Sequence, residues 1–145
     1  MMMIAATKNA HKLKEINEIL NPFQIDVVSA EEAGWSHIEI TEDGETFEEN
    51  SMKKAETIMR LSKKDVIADD SGLSVQALGG QPGVYSARFS GEHATDKDNN
   101  IKLLSMLEGI SERSAKFVSV ISLVFSDGRK ISVRGECSGR IAYEE

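Results

Sequence analysis

The sequence predicts an α/β (mixed α+β) fold, a mixed β-sheet flanked by helices. Three observations carry this. A strand, a helix and a strand follow one another at the N-terminus. A capped helix then leads into a short apolar strand, and a long alternating hairpin closes the chain. The 145 residues suit one domain spanning residues 1–145. Such a chain buries about 68–70% of its unfolded surface and needs no disulfide or metal staple. A hydrophobic fraction of 40% and a charged fraction of 28% exclude general disorder, a collagen-like chain and a disulfide scaffold.

Met2 to Ala6 is a short apolar run and predicts a buried first strand. Asn9 can cap a helix to about Leu20, with Leu13, Ile16 and Leu20 on one face. Asn21-Pro22 ends it, because the residue before proline disfavours the α region. Ile25 to Ser29 reads as a second strand and His37 to Ile40 as a weaker third. Thr46-Phe47-Glu48-Glu49 is a capping box, opening a helix to about Ser62. Phe47, Ser51, Ala55, Ile58 and Met59 share one side of that helix.

Asp65 to Ala68 predicts a central strand that ends in Asp69-Asp70, with another short strand at Leu73 to Gln76. A Gly-rich loop follows from Leu78 to Gly91. Thr95-Asp96-Lys97-Asp98 caps a helix with Ile101, Leu104 and Leu107 inward, and Gly109 ends it. From Ala115 to Phe125, Phe117, Ile121, Leu123 and Phe125 share one face, and Val118, Val120 and Val124 the other. Asp127-Gly128 turns the hairpin into Arg129 to Ile141.

The net charge of −7 argues against a nucleic-acid polymer as partner, because phosphate contacts need a basic face. A local basic cluster can still hold a small anion. No apolar run approaches the ~18 residues of a membrane span, and the start lacks the basic region of a signal peptide. Cys137 is the single cysteine, so no intrachain disulfide is possible, which suits a reducing, cytoplasmic location.

Four segments carry candidate chemistry. Thr7-Lys8-Asn9-Ala10-His11-Lys12 lies at a strand-to-helix junction. A helix N-terminus carries partial positive charge and unpaired N–H groups, so lysines there are unfavourable unless an anion joins them. The free amides, Lys8 and Lys12 and the small polar Thr7 and Asn9 together read as a phosphate cradle, and a capped surface helix with solvated lysines is the plainer account. Neither G-x-x-x-x-G-K-[ST] nor G-x-G-x-x-G is present.

Ala68-Asp69-Asp70-Ser71-Gly72 puts acids at the carboxyl end of a buried strand, where open α/β sheets bind ligands. In a continuing strand only one of the two would face the site. Simple turn chemistry is the alternative. Glu42, Asp43, Glu45, Glu48 and Glu49 form an acidic run that a helix N-terminus largely explains, Glu42 least. Glu42 with Asp70 would supply the one or two carboxylates that Mg²⁺ takes beside phosphate oxygens and water. Lys53 and Lys54 follow on the helix, where lysines are ordinarily solvated. Gly79 to Arg88 is a shaped loop, and Arg88 is either a phosphate fork or a structural tie. No metal-ligand spacing among the histidines and no nucleophile elbow is present.

These blocks combine. The order is Thr7-x-Asn9-x-x-Lys12-x-x-Glu15, then Glu42-Asp43-Gly44-x-Thr46-Phe47-x-Glu49-Asn50 with Lys54-Ala55. Ala68-Asp69-Asp70-Ser71-Gly72-Leu73 and Leu78-Gly79-Gly80-x-Pro82-Gly83-Val84-Tyr85-Ser86-Ala87-Arg88 follow. Over essentially the whole chain this strongly resembles the inosine triphosphate pyrophosphatase family. The resemblance implies two lobes around a long mixed sheet, a homodimer, and Mg²⁺-dependent hydrolysis of ITP, dITP or XTP to monophosphate and pyrophosphate. It implies that Thr7, Asn9, Lys12, Lys54 and Ser71 bind substrate. Glu42 and Asp70 would hold the metal, Asp70 would also accept the proton, and Asp69 would support the site.

Family members continue beyond the segment matching Gly135 to Ile141. The resemblance therefore also implies that this chain lacks a C-terminal part supplying much of the base pocket. The related Maf-like nucleotide pyrophosphatases, and a catalytically silent nucleotide- or anion-binding module, are the competing readings.

Overall fold

Asn9 caps as its position predicts. In the computed structural model, which describes Met1–Glu145, its Oδ1 accepts the N–H groups of His11 at 3.0 Å and Lys12 at 3.2 Å. Helix α1 (Ala10–Leu20) starts there and links β1 (Met2–Ala5) to β2 (Asp26–Ser29). Asn9→Ala is expected to cost about 1 kcal/mol of stability in denaturant unfolding. The remaining long elements are α2 (Phe47–Ser62), β3 (Val66–Val75), α3 (Asp96–Met106), β4 (Ser114–Val124) and β5 (Lys130–Arg140). The sheet order is β2-β1-β3-β4-β5. β1 runs parallel to β2, with Met3 opposite Val27, and parallel to β3, with Ala5 opposite Ile67.

The chain divides into two compact units, as the expected two lobes require. The first holds Met1–Asp70 with Val120–Val133, the second Ser71–Ser119 with Arg134–Glu145. In the first unit the strand pleat sorts the core. Ile4, Val66 and Ala68 pack with Ala55 and Ile58 of α2. Met3, Ala5 and Ile67 pack with Ile16 of α1. Alternating side chains thus bury one helix on each face of the sheet. The buried Ser51 hydroxyl meets Ser122 Oγ at 2.6 Å, and Ser122 meets Ser132 Oγ at 2.8 Å. Each buried hydroxyl there has a partner, as desolvation demands.

In the second unit Val75, Leu103 and Leu107 form the core. Arg113 is buried and bonds the carbonyls of Leu107, Ile110 and Ala142, with Tyr143 over its guanidinium.

Several expectations need correction. His37 to Ile40 is not a strand. Ile38 and Ile40 alternate with outward neighbours because they pack on the α2-side core, without a ladder partner. Asp69-Asp70 does not end its strand, and Leu73 to Gln76 is not a separate one, because β3 continues to Val75. α1 ends at Leu20, yet Asn21 keeps helical angles and begins a 3₁₀ turn, Asn21–Phe23, with Pro22 as its second residue.

Thr46 caps α2 by accepting the Glu49 N–H at 3.0 Å, but Glu49 Oε2 accepts from Glu45 N–H at 2.8 Å rather than from Thr46. The full reciprocal box is formed at α3, between Thr95 and Asp98. On α3 it is Leu103 and Leu107 that are buried, while Ile101 is exposed. On β4 the even-numbered Val118, Val120 and Val124 are buried and Phe117 is exposed.

Candidate active site

The placement of the site follows from strand lengths. β1 makes its last ladder contact where Ala6 N–H donates to Ile67 O at 2.8 Å, and the chain then leaves into Thr7-Lys8-Asn9. β3 runs on. Beyond the carboxyl end of β1, Asp69 and Asp70 therefore project where no β1 residue stands beside them. β1 is also the switch point of the sheet, with parallel neighbours on both sides, the place where α/β sheets hold ligands. An open cleft of about 1290 Å³ lies there, and all its lining residues belong to the first unit. Thr7, Asn9, Lys12, Glu42, Lys54 and Asp69 line it, and Trp35, Ile38 and Ile40 form an apolar wall. That wall escaped the sequence reading, where only the weak His37 to Ile40 alternation hinted at it.

The adjacent acids part company because of the pleat. Asp69 shares its face with Ile67 and meets α1, where Lys12 Nζ is 2.7 Å from its Oδ2. Asp70 shares its face with Ala68 and turns to the α2 side. There Lys54 Nζ is 2.7 Å from Glu42 Oε1. Asp70 is itself buried, and its Oδ2 has no hydrogen-bond partner. Burial pushes the Asp70 carboxyl up to about 6; the nearby Glu42 and Asp69 charges add to the rise, and Lys54 and Asn50 oppose it.

The rest of the acidic run divides differently. Asp43 pairs with Lys53 at 2.7 Å in an exposed contact, which holds the Asp43 carboxyl below its ordinary range. Glu48 and Glu49 occupy the first turn of α2, the favourable end for acids.

In the phosphate-cradle segment, Thr7 Oγ1 accepts the Asn9 N–H at 3.1 Å. With the Thr7 and Asn9 oxygens engaged, what these side chains offer a ligand is their protons. Each lysine has three donors, so one ion pair leaves capacity for phosphate oxygens. Ser71 begins the second unit and does not line the cleft, and neither does Asp70. Arg88, also in the second unit, lies 5.1 Å from the Tyr85 ring centroid and does not line the cleft either.

The family model described as the Ham1 family matches residues 3–145. The chain belongs to the Ham1 family. Among Ham1-like relatives, a dITP/XTP pyrophosphatase of Clostridium perfringens is 50% identical over 146 residues, covering 95% of this chain and 71% of that protein. A dITP/XTP pyrophosphatase of Bacillus subtilis is 47% identical, covering 97% and 72%. The Staphylococcus aureus Ham1 protein superposes with a TM-score of 0.91 at 38% identity, covering 99% of this chain and 73% of that one. The mixed α/β fold anticipated from the motifs is thus the fold observed. No helix is long and apolar enough to cross a membrane.

Proposed function

We propose that this chain hydrolyses non-standard purine nucleoside triphosphates, dITP and XTP foremost and ITP with them, to the monophosphate and pyrophosphate. The observation that carries it is the alternation of Lys12, Asp69, Asp70, Glu42 and Lys54 around the end of β1. It joins cations for a triphosphate to a buried acid fit to take a proton. Phosphoryl chemistry asks a protein mainly for positioning and charge stabilisation.

In this reading Thr7, Asn9, Lys12 and Lys54 bind the phosphates, and Ser71 contacts substrate. Asp70 orients a water and takes its proton as the oxygen attacks the α-phosphorus. The bond from that phosphorus to the bridging oxygen breaks, and pyrophosphate leaves. An acid titrating near 6 is mostly ionised at neutral pH and still basic enough to serve.

Glu42 and Asp70 suit a hard divalent cation, which we take to be Mg²⁺. The partnerless Asp70 Oδ2 supports this, as does a donor set of two carboxylates. No group of three or more His, Cys, Asp or Glu side chains is placed to hold a metal, and Mg²⁺ does not require one. Such an ion supplies charge neutralisation and a more acidic water. We further read the chain as a cytoplasmic homodimer and a single functional domain over residues 1–145. The family resemblance and the lone Cys137 support this.

The test is pyrophosphate release from dITP, XTP, ITP, GTP and ATP, with Mg²⁺ and with EDTA. Release from the first three that stops with EDTA is expected. Binding of triphosphate without turnover would overturn the reading, and equal turnover of all five would overturn the base preference.

A further inference from the structure

Asn50 is only 1% exposed, yet the chemistry above leaves it without a task. It stands one turn before Lys54 on α2, and positions four apart share a helix face. Its Oδ1 accepts the Gly44 N–H at 2.7 Å. The approach is tight: a Cβ on Gly44 would lie 2.7 Å from that oxygen and 2.8 Å from Glu49 Cβ. The glycine is therefore required by crowding against Asn50. Glu42 lies two residues before it, so this bond anchors the segment that carries Glu42.

The other end of the same amide tells a different story. Asn50 Nδ2 is buried and makes no hydrogen bond, and Asp70 Oδ2 is in the same condition. The Asn50 side chain is near enough to the Asp70 carboxyl to favour its ionised form, yet these two atoms do not close a hydrogen bond. An unused donor and an unused acceptor, both withdrawn from water, thus lie together on α2 and β3. Burial without a partner costs free energy, so a neighbouring pair of such atoms calls for an explanation.

We propose that Asn50 is a positioning residue that sets Glu42 and Asp70 at a common separation. Its Oδ1 holds the Glu42 segment through Gly44, and its Nδ2 is the donor for Asp70 Oδ2 in the cation-loaded site. The proposal rests on the pyrophosphatase reading of this site. It differs from a loop-tying role in needing both ends of the amide.

Two variants separate the ends. Asn50→Asp keeps an acceptor for Gly44 N–H and removes the donor. Asn50→Leu removes both. The readouts are Mn²⁺ affinity of the substrate-free protein by electron paramagnetic resonance, and kcat and KM for dITP with Mg²⁺. For Asn50→Leu the expected result is Mn²⁺ affinity at least tenfold weaker. For Asn50→Asp it is a kcat at least thirtyfold lower, with KM within threefold of the parent.

Asn50→Asp with kcat within threefold of the parent would overturn the proposal, since the donor end would be idle. Asn50→Leu binding Mn²⁺ as tightly as the parent would also overturn it. Should Asn50→Leu fail to fold, Asn50→Asp decides alone. Failure of the parent protein to release pyrophosphate would strike the functional reading instead, and the Mn²⁺ measurement would still judge Asn50.

Discussion

Asp70→Asn is expected to yield a protein that is nearly inactive and yet more stable than the parent at neutral pH. Loss of a positioned base lowers kcat by about 10²–10⁴. The stability gain follows from burial, which raises the folded carboxyl from 3.8 to about 6. The folded chain therefore holds that proton more tightly than the unfolded chain. The stability linked to it is fully present below about pH 4 and is lost as pH rises through 6. At about 1.4 kcal/mol per unit, the ionised acid costs the folded state ~3 kcal/mol above pH 7.

Asparagine does not ionise. The variant should match the parent near pH 4 and exceed it by that amount at pH 7.5, in thermal melts with EDTA. Adding Mg²⁺ should restore stability to the parent alone, because ligation favours the state that binds. Equal melting of parent and variant at pH 7.5 without metal would contradict the burial argument.

The second large effect concerns Lys12. Lys12→Met leaves the Asp69 carboxylate without its 2.7 Å ion pair in a site where that side chain is 8% exposed. Breaking a fully buried pair costs about 3–5 kcal/mol, and the partial exposure of Lys12 reduces this to about 1–3 kcal/mol. The same change should raise KM for dITP at least tenfold. The double variant Lys12→Met/Asp69→Asn isolates the two roles. Stability is expected to return and KM is not. Recovery of both would show that Lys12 acts only by neutralising Asp69.

Much of this was legible in the sequence because it is local. Asn9 announces the start of α1 by its own side chain. That only one of Asp69 and Asp70 faces the site follows from period-two alternation in a strand, whereas the Lys12 partner of Asp69 is seen only in the fold. What was not legible depends on distant packing. His37 to Ile40 alternates like a strand, but its rhythm comes from lying on the α2-side core. On α3 the spacing placed Ile101 and Leu104 inward with Leu107, and the core beneath takes Leu103 instead. Asn50 stands in the sequence inside a motif block with no role of its own. Only the approach of Gly44 and the presence of Asp70 give its amide two addresses.

The pleat at the Asp69-Asp70 pair has one more consequence. The two residues are chemically the same and adjacent, so nothing in their covalent structure says which should take a proton and which should balance a lysine. Parity along β3 says it. Inserting one residue between Val66 and Ile67 would exchange their identities. It would also turn Ile67 and Ala68 to the wrong helices. The division of duties is thus written in the same count that seats the hydrophobic core. A slip that confuses the two acids has to break the fold first.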